Sequence, residues 1–183
     1  MPSMKLRLAS ANDAKHIADL HADSWRRHYR GAYSDAFLDG DVFSERLAVW
    51  SERLARSDRG AITVIALDGD ALIGFAHTIP AHDAVYGALL DNLHVKVEQK
   101  RGGVGSALMR ETATVLTRRN ISTGLYLWVL EQNRNAQAFY AAMGGICVGR
   151  EIIDPLPGGG KAPALRYYWP DRATSLLVHV SFR

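Results

Sequence analysis

The residues whose types and spacing first suggest chemistry form a short glycine-rich stretch with two adjacent cations. In chain order its members are Lys100, Arg101, Gly102, Gly103, Val104, Gly105 and Ser106. The stretch follows an apolar run and opens a helix-like segment at residues 104–119. The first amides of a helix have no internal partner, and the helix dipole adds partial positive charge there. A strand, a glycine turn and a helix N-terminus in this order therefore predict a site for an anionic phosphate group.

Two common nucleotide motifs do not fit this stretch. A P-loop requires a lysine directly after its last glycine, and Gly105 is followed by Ser106. A dinucleotide fingerprint requires glycine at its sixth position, which is Leu108 here. A turn that only starts a helix stays open as an alternative at this point.

A second patterned segment runs from Asn133 to Gly144 and reads N-x-x-A-x-x-F-Y-x-x-x-G. In this order and separation, the two segments resemble the two cofactor motifs of the GNAT superfamily of N-acetyltransferases, whose members bind acetyl-CoA. The apolar run at residues 124–130 is similar to the family's strand before the second motif, and residues 24–31 are similar to its first helix. The resemblance covers residues 4–170 and is specific for the superfamily, not for any acceptor.

Four positions depart from the usual family pattern. The family usually has Gln or Arg at the position of Lys100, Gly at Arg101, and a basic or polar residue at Gly102. An aromatic residue usually follows the last glycine of the second motif, where Gly145 stands here. Because the G-x-G core at residues 103–105 is intact, we expect these changes to alter details of binding and not the cofactor class.

The resemblance implies an α/β (α+β) fold: a mixed, mostly antiparallel central sheet of about seven strands, flanked by helices and splayed between the fourth and fifth strands. The apolar patterning predicts strands at residues 5–9, 62–67, 71–79, 89–97, 123–130, 146–153 and 165–169. It predicts helices after Ser10 or Asn12 and at residues 45–55, 104–119 and 133–143. The link at residues 155–163 predicts a mobile loop. Residues 176–180 could form a strand or pack on a partner chain.

The resemblance also implies roles for residues around the cofactor. The backbone of Leu93, His94 and Val95 would pair with the amide arm of pantetheine, as an added strand does. Asn133 would hydrogen-bond the arm from the other side, and the amides of residues 101–106 would cradle the pyrophosphate. A backbone N–H near Leu93 would stabilise the oxyanion if the strand is bulged there. Core packing of Leu93 and Val95 is compatible with these roles.

Tyr140 lies where the family places its general acid, which protonates the departing thiolate. A phenol has a reference pKa of about 10 and a thiol about 8.5, so tyrosine is protonated at neutral pH and can donate this proton. The helical spacing of Ala136, Phe139, Tyr140 and Met143 also fits a core stripe, which is the alternative role. With the surrounding motif in place, we expect Tyr140 to act as the acid and to contact the cofactor.

The base that would deprotonate the attacking amine is not evident in this sequence, because the glutamate that some family members use is absent. Some members carry a Glu on the fourth or fifth strand, and Leu89 and Trp128 occupy the matching positions here. Asp91 and His94 are the nearest substitutes, and histidine has a suitable reference pKa of about 6.5. Strand alternation predicts that these two side chains point to opposite faces, so at most one would face the acceptor. A chain of water molecules is the alternative.

Aromatic residues at the end of the first predicted helix form a candidate acceptor site. Its members are Trp25, Tyr29 and Tyr33, with His28 beside them. An aromatic wall suits an apolar or cationic acceptor. Helix packing, with the polar tips of these side chains in solvent, is the alternative.

The bulk properties limit the broad class. At 183 residues, with 48% apolar and 22% charged residues, the chain is expected to form one domain with a core at residues 4–170 and a C-terminal extension at residues 171–183. The single cysteine, Cys147, cannot form an internal disulfide, which predicts a reducing compartment. Its apolar neighbours predict that it lies in the core. No apolar run is long enough for a membrane span, and the N-terminus lacks a signal-peptide core. A cytoplasmic protein without a membrane partner is therefore expected.

Two ligand classes are disfavoured. The net charge is +3 and the pI is about 9.1, but the cations are scattered among acids, which predicts no nucleic-acid partner. The seven histidines form no H-x-x-x-H or H-E-x-x-H pair, which predicts no metal site.

These patterns together predict an acetyl-CoA-dependent N-acetyltransferase. It would transfer acetyl directly to a primary amine of a small-molecule or peptide acceptor. A non-catalytic acyl-CoA-binding or sensor module on the same fold is the alternative, because the family's glutamate positions hold other residues. The resemblance is also compatible with a homodimer.

Overall fold

The structure, a computed structural model, describes residues 4–56, 60–121, 123–154 and 160–177. The strands of this described part are β1 (Lys5–Leu8), β2 (Ile62–Asp68), β3 (Ala71–Asp83), β4 (Gly87–Val95), β5 (Leu125–Leu130), β6 (Ile146–Ile153) and β7 (Ala162–Trp169). Its α-helices are α1 (Ala14–His28), α2 (Asp35–Asp39), α3 (Val42–Ala55), α4 (Val104–Arg118) and α5 (Arg134–Ala142). Short 3-10 turns lie at Ala11–Asp13 and Val97–Gln99, and a π-helical turn lies at Ala173–Leu177.

The strands form one sheet in the order β1-β2-β3-β4-β5-β7-β6. Neighbouring strands are antiparallel except β4 and β5, which run parallel and pair only at Ala88 with Leu125 and at Leu89 with Tyr126. Beyond these two pairs, β4 continues to Val95 and β5 continues to Leu130. The predicted fold class, a mostly antiparallel mixed sheet splayed between its fourth and fifth strands, is confirmed.

One face of the sheet packs against α4. Leu108, Met109 and Leu116 are fully buried there, in one cluster with Leu125 and Leu127 of β5. Since successive side chains of a strand point to opposite faces, Tyr126 and Trp128 lie on the other face of β5. Helix α4 therefore holds the two halves of the sheet together from one side, across the gap between β4 and β5.

The opposite face of the sheet packs against α1 and α3. Ile17 of α1, Trp50 of α3 and Phe75 of β3 are fully buried in one cluster. Helix α1 begins as expected near Ser10, which forms a capping box with Asp13 at the 3-10 turn leading into the helix. The helix places Trp25, the last large apolar residue of its buried face, in a second cluster under α2.

One sequence-based expectation is wrong, and one helix was not predicted. Cys147 is exposed and not in the core, because β6 is an edge strand that no helix covers among the described residues. Helix α2 was not anticipated, because five residues are too few for a helical pattern; its N-cap is Ser34, which accepts a hydrogen bond from the amide of Phe37.

Two predicted segments lie largely outside the described residues. The predicted loop at residues 155–163 is described only from residue 160, and β7 already begins at Ala162. The tail is described as far as Leu177, where the π-helical turn ends. Within the described ranges, the structure contains no helix of the length and apolarity needed to cross a membrane.

Candidate active site

A cavity of about 630 Å³ lies where β4 and β5 separate. It is bounded by the C-terminal half of β4, the glycine turn before α4, the end of β5, helix α5 and the end of α1. Most of the predicted cofactor residues line it: Leu93, His94, Val95, Lys100, Arg101, Gly103, Gly105, Ser106, Asn133 and Tyr140. The two segments singled out in the sequence therefore meet across one cavity.

The glycine turn at one end of the cavity has two residues in the left-handed conformation. Arg101 has φ 65° and Gly103 has φ 80°, and Gly103 is the N-cap of α4. Left-handed residues next to a helix start turn successive amides toward one point, which makes a concave site for an anion. The unpaired amides of the first turn of α4 and the charges of Lys100 and Arg101 make this end positive.

Two residues of the predicted phosphate stretch do not line the cavity. The amide of Gly102 donates to the carbonyl of Gln99 at 3.3 Å, so it is used within the turn. Val104 is 3% exposed and packs in the core with Leu108. Of the amides predicted to face the ligand, that of Gly102 is therefore already used within the turn, and Val104 would contribute through its backbone alone.

Gly105 allows a close contact between α4 and α5. A Cβ placed on Gly105 would lie 3.2 Å from Cζ of Phe139, which is closer than ordinary packing. Phe139 in turn lines the cavity and contacts the ring of Tyr140. The second glycine of the G-x-G pattern thus sets the position of the helix that carries Tyr140.

Lys100 makes an unexpected contact with the end of α1. Its Nζ lies 2.8 Å from Nε2 of His28, and both residues line the cavity. Burial lowers the pKa of His28, and the positive charge of Lys100 lowers it further. Burial also lowers the pKa of Lys100, with a smaller contribution from Arg27. His28, expected among the acceptor aromatics, thus belongs to the positive end of the cavity.

Strand β4 carries a bulge beside the cavity. Leu90 pairs with Thr78 and Asn92 pairs with His77, so Asp91 is an extra residue in the ladder. The side chains of Asp91 and Asn92 both reach Arg53 of α3, at 2.9 Å each. The bulge lies two residues before Leu93, near the backbone N–H for which the sequence suggests a role in stabilising an oxyanion.

The bulge also overturns the alternation argument for the two candidate bases. His94 pairs with Phe75 and contacts α1, and Asp91 contacts α3, so both side chains lie on the face covered by these helices. The expectation of opposite faces is wrong, because the extra residue shifts the alternation by one. Asp91 does not line the cavity, whereas His94 does.

His94 is held as a neutral imidazole at the wall of the cavity. Its Nδ1 lies 2.8 Å from the hydroxyl of Ser24, and its ring contacts those of His21 and Phe75. Burial lowers the pKa of His94 to about 3, and electrostatic interactions with His28, Arg46 and Lys100 contribute to the shift. Ser24 was not singled out in the sequence; its position one helical turn before His28 was the available signal.

Tyr140 lines the same cavity as the glycine turn. It is 9% exposed and packs among the rings of Phe139, Tyr167 and Trp169. Burial raises the pKa of Tyr140 above its usual range, and the proximity of Tyr29 adds to the shift. The residue therefore belongs to the core stripe and to the cavity wall at once, and its phenol stays protonated.

Asn133 fixes the start of the helix that carries Tyr140. Its side-chain oxygen accepts from the amide of Ala136 at 3.2 Å, as an N-cap does. Asn133 also lines the cavity. Because its carbonyl oxygen is occupied, the amide NH₂ group is the part of this side chain suited to a ligand.

The three predicted acceptor aromatics have different environments. Tyr29 is half-buried and lines the cavity, whereas Trp25 and Tyr33 are buried and pack edge to face with centroids 4.8 Å apart. The guanidinium of Arg46 lies 4.1 Å from the ring centroid of Trp25. Burial raises the pKa of Tyr29 to about 12, and the charge of Asp91 contributes. Trp25 and Tyr33 thus support Tyr29 from behind.

No cluster of three or more His, Cys, Asp and Glu side chains within the described ranges is arranged to hold a metal ion. The electrostatics of the cavity come instead from its cationic turn, its neutral histidine and its phenols.

Comparison with known proteins agrees with this geometry. The sequence model of the Acetyltransferase (GNAT) family matches residues 18–144. N-acetyltransferase YuaI of Bacillus subtilis (strain 168), itself uncharacterized, is 27% identical over 168 residues, which cover 91% of this chain and 92% of that protein.

Solved structures show the same fold. The PaiA N-acetyltransferase of Thermoplasma acidophilum, in complex with coenzyme A, has a TM-score of 0.68 at 20% identity and covers 91% of this chain and 99% of its own. The structure of yncA from Salmonella typhimurium with its cofactor acetyl-CoA has a TM-score of 0.67 at 14% identity and covers 99% of this chain and 98% of its own. Since the family match extends over more than half of the residues and the splayed sheet is that of these structures, the chain belongs to the Acetyltransferase (GNAT) family.

Proposed function

We propose that this protein is an acetyl-CoA-dependent N-acetyltransferase that passes acetyl directly to a primary amine. The observation that carries the proposal is the cavity between β4 and β5, whose lining includes both a cationic glycine turn and Tyr140. Family membership and the complexes of PaiA with coenzyme A and of yncA with acetyl-CoA support the choice of donor. A site that combines a turn suited to phosphate with a proton donor fits a phosphorylated thioester.

The residues that would hold acetyl-CoA fall into two groups. At the positive end, Lys100, Arg101 and the first amides of α4 would bind the phosphates. Each exposed charge or dipole contributes only about 0.3–1 kcal/mol, so the affinity must come from several groups acting together. Along the gap, the backbone of residues 93–95 would pair with the pantetheine arm, and the amide of Asn133 would donate from the α5 side.

Bound acetyl-CoA supplies the acetyl group as a thioester. A main-chain N–H near Leu93, beside the bulge, would stabilise the negative charge that develops on the carbonyl oxygen. Tyr140 holds a proton on its phenol oxygen, and the sulfur takes that proton as the C–S bond breaks and the C–N bond forms. The raised pKa of Tyr140 keeps this proton in place until the thiolate appears.

The amine must lose a proton to attack. Of the two candidates, we assign this role to Asp91 acting through solvent, because its ion-paired carboxylate charge attracts a proton that water carries toward it, whereas burial lowers the pKa of His94 to about 3 and disfavours a charged ring. Asp91 is ion-paired with Arg53 and acts electrostatically on Tyr29, which lines the cavity. His94 would serve as a neutral polar wall held by Ser24.

Two measurements test the proposal. Isothermal titration should detect binding of acetyl-CoA, and its absence would refute the assignment. A thiol assay should then detect CoA release that depends on an added amine. Binding without release for any amine in a broad library would instead support a non-catalytic acyl-CoA-binding or sensor module.

A further inference from the structure

The sheet face that packs under Trp25 presents a second set of polar and aromatic groups on β5 and β7. On β7, Ala162 and Ala164 pack under Trp25 and Leu38, and the next residues on the same face are Arg166 and Tyr168. Arg166 pairs directly with Trp128 of β5, and Tyr168 pairs with Tyr126. We call the surface formed by Tyr86, Tyr126, Trp128 and Arg166 the aromatic floor. Because Trp128 also lines the cavity, the aromatic floor adjoins the cavity.

Arg166 is fixed in this floor by stacking. Its guanidinium carbon lies 4.3 Å from the ring centroid of Trp128 and 4.2 Å from that of Tyr86, which reaches over from the β3–β4 hairpin. The ring of Tyr126 lies at 5.8 Å. An arginine held between two aromatic faces keeps its planar N–H groups in one orientation, so little side-chain entropy is lost when it binds an anion.

Some of the N–H donors of Arg166 have no hydrogen-bond partner among the described residues of the protein. One terminal nitrogen contacts a carboxylate oxygen of Glu151 at 3.1 Å, and the Glu151 side chain is 63% exposed. The Nε of Arg166 is buried and has no partner among the residues that the structure describes. The Arg166 side chain is 17% exposed, so the guanidinium remains open to a ligand in spite of its packing.

We infer that Arg166 binds the carboxylate of the acceptor and that the acceptor class is therefore the free amino acid. This inference rests on the proposed function, since it places the acceptor amine at the acetyl end of the cavity. Adjacent strands lie about 5 Å apart, and Arg166 is one strand beyond Trp128, so a short carbon chain spans the two groups. The rings of Tyr86, Tyr126 and Trp128 provide an apolar surface for the side chain of that amino acid.

The same geometry disfavours other amine classes. A protein N-terminus has no carboxylate next to its amine, and a polyamine would bring positive charge against Arg166. A planar guanidinium recognises a carboxylate through paired N–H donors, which a neutral carboxamide cannot replace. An experiment should therefore compare acceptors that differ only in the presence of the carboxylate.

The experiment compares the common L-amino acids with their carboxamides, one pair at a time. Equilibrium binding to the CoA-loaded protein is measured by titration calorimetry, and kcat and KM for acetyl transfer are measured separately. The amine of a carboxamide is less basic than that of the amino acid, so more of it is neutral. A preference for the acid therefore cannot arise from amine protonation.

We expect at least one amino acid to bind and react at least tenfold better than its amide. Arg166→Gln should remove this preference by weakening the acid about 10- to 100-fold, mainly in KM, while leaving the amide unchanged. Arg150→Gln is the matched control: Arg150 lies on β6, is 55% exposed and pairs with Glu131 at 3.0 Å, away from the floor. It should leave both substrates unaffected.

The remaining outcomes separate the two proposals. If amides are acetylated as well as acids, or if Arg166→Gln weakens both equally, the carboxylate site is refuted and the acetyltransferase assignment stands. If an amino acid binds in a carboxylate-dependent way without acetyl transfer, the carboxylate site stands and the transfer assignment is refuted. If no amino acid binds or reacts, the carboxylate site is refuted.

Two further variants keep the test decisive if Arg166→Gln does not fold, which loss of acetyl-CoA binding would reveal. Arg166→Lys keeps the charge but loses the planar fork, so it should retain only part of the acid preference. Tyr86→Leu removes one stacking ring and should weaken the acid more than the amide. Equal effects of these variants on acid and amide would refute the inference.

Discussion

The imidazole rings of His21 and His94 lie with their centroids 4.5 Å apart, and both residues are at least nine-tenths buried. The indole N–H of Trp50 donates to Nδ1 of His21 at 2.9 Å, so neutral His21 carries its proton on Nε2. A proton added to either ring would face the other histidine and the cation of Arg46. The helices α1 and α3 are thus packed on the sheet through neutral histidines.

Stability should fall as the pH drops below about 6.5, the reference pKa of histidine. Burial lowers the pKa of His94 to about 3 and that of His77 to about 4, and it lowers the pKa of His21 as well. The unfolded chain therefore binds more protons than the folded chain between these values and pH 6.5, which favours unfolding. Urea unfolding from pH 7 to pH 4.5 should report an uptake of about two to three protons.

The control for this pH dependence is a pair of histidine variants. His77→Gln should reduce the proton uptake by about one, because the titrating group is removed. His16→Gln, at an exposed position of α1, should leave the curve unchanged. A stability that stays level between pH 7 and pH 4.5 would contradict the neutral-histidine packing.

Tyr140→Phe should lower kcat by about 10²- to 10⁴-fold, the usual contribution of a positioned general acid. Acetyl-CoA affinity should stay within about twofold, because the ring that packs among Phe139, Tyr167 and Trp169 is retained. Tyr167→Phe removes a hydroxyl from a neighbouring buried tyrosine that does not line the cavity and serves as the control. Equal rates for the two variants would argue against the acid role.

Gly103→Ala should weaken acetyl-CoA binding about tenfold, which corresponds to roughly 1.4 kcal/mol. The residue has φ 80° at the start of α4, where alanine is strained and would redirect the amides that face the phosphates. Gly69→Ala is a matched control, since Gly69 has φ 57° in the β2–β3 turn and is equally open around its Cα. Both changes should cost roughly 1–2 kcal/mol of stability, but only the first should alter titration with acetyl-CoA.

Lys100→Ala should weaken acetyl-CoA binding about two- to fivefold, because one exposed charge near a phosphate contributes modestly. The dependence of affinity on salt should become shallower, since fewer charges then attract the ligand. Lys96→Ala, four residues earlier and outside the cavity lining, should change neither quantity. An unchanged salt dependence for Lys100→Ala would contradict the placement of the phosphates beside Lys100.

Asp91→Asn should lower kcat/KM at neutral pH by about 10²-fold, with partial recovery at high pH, where the amine is already neutral. His94→Gln should have a smaller effect on the shape of the pH–rate profile, because the imidazole is a poor proton acceptor at its lowered pKa of about 3. Full pH–rate profiles of both variants distinguish the two candidates. A profile altered only by His94→Gln would reverse the assignment.

Much of the fold follows from patterns that a sequence displays. The strand-turn-helix at residues 89–119 and the capped helix after Asn133 are local features, and their separation places them on neighbouring strands. The seven predicted strands correspond to β1–β7, with boundaries that differ by a few residues. The largest difference is in β3, which runs past Pro80 to Asp83 because that part lies in the β3–β4 hairpin.

The features that escape prediction depend on contacts between distant segments. The bulge at Asp91 has no signature in a single strand, and it decides which face each candidate base occupies. Ser24 reaches His94 across 70 residues of sequence. Cys147 has the apolar neighbours of a core residue, but only the strand order shows that β6 is at the edge.

Because β4 and β5 pair at only two positions, the sheet consists of two parts, β1–β4 and β5–β7, that are joined by few backbone hydrogen bonds. Helix α4 joins the two parts over a broad apolar area, with Leu116 in one cluster with Leu90 on one side of the gap and Leu127 on the other. A ligand bound in the cavity between β4 and β5 would contact both parts and connect them a second time. Backbone amide hydrogens in both parts of the sheet should then exchange with deuterium more slowly when the ligand is bound, including amides that the ligand does not contact.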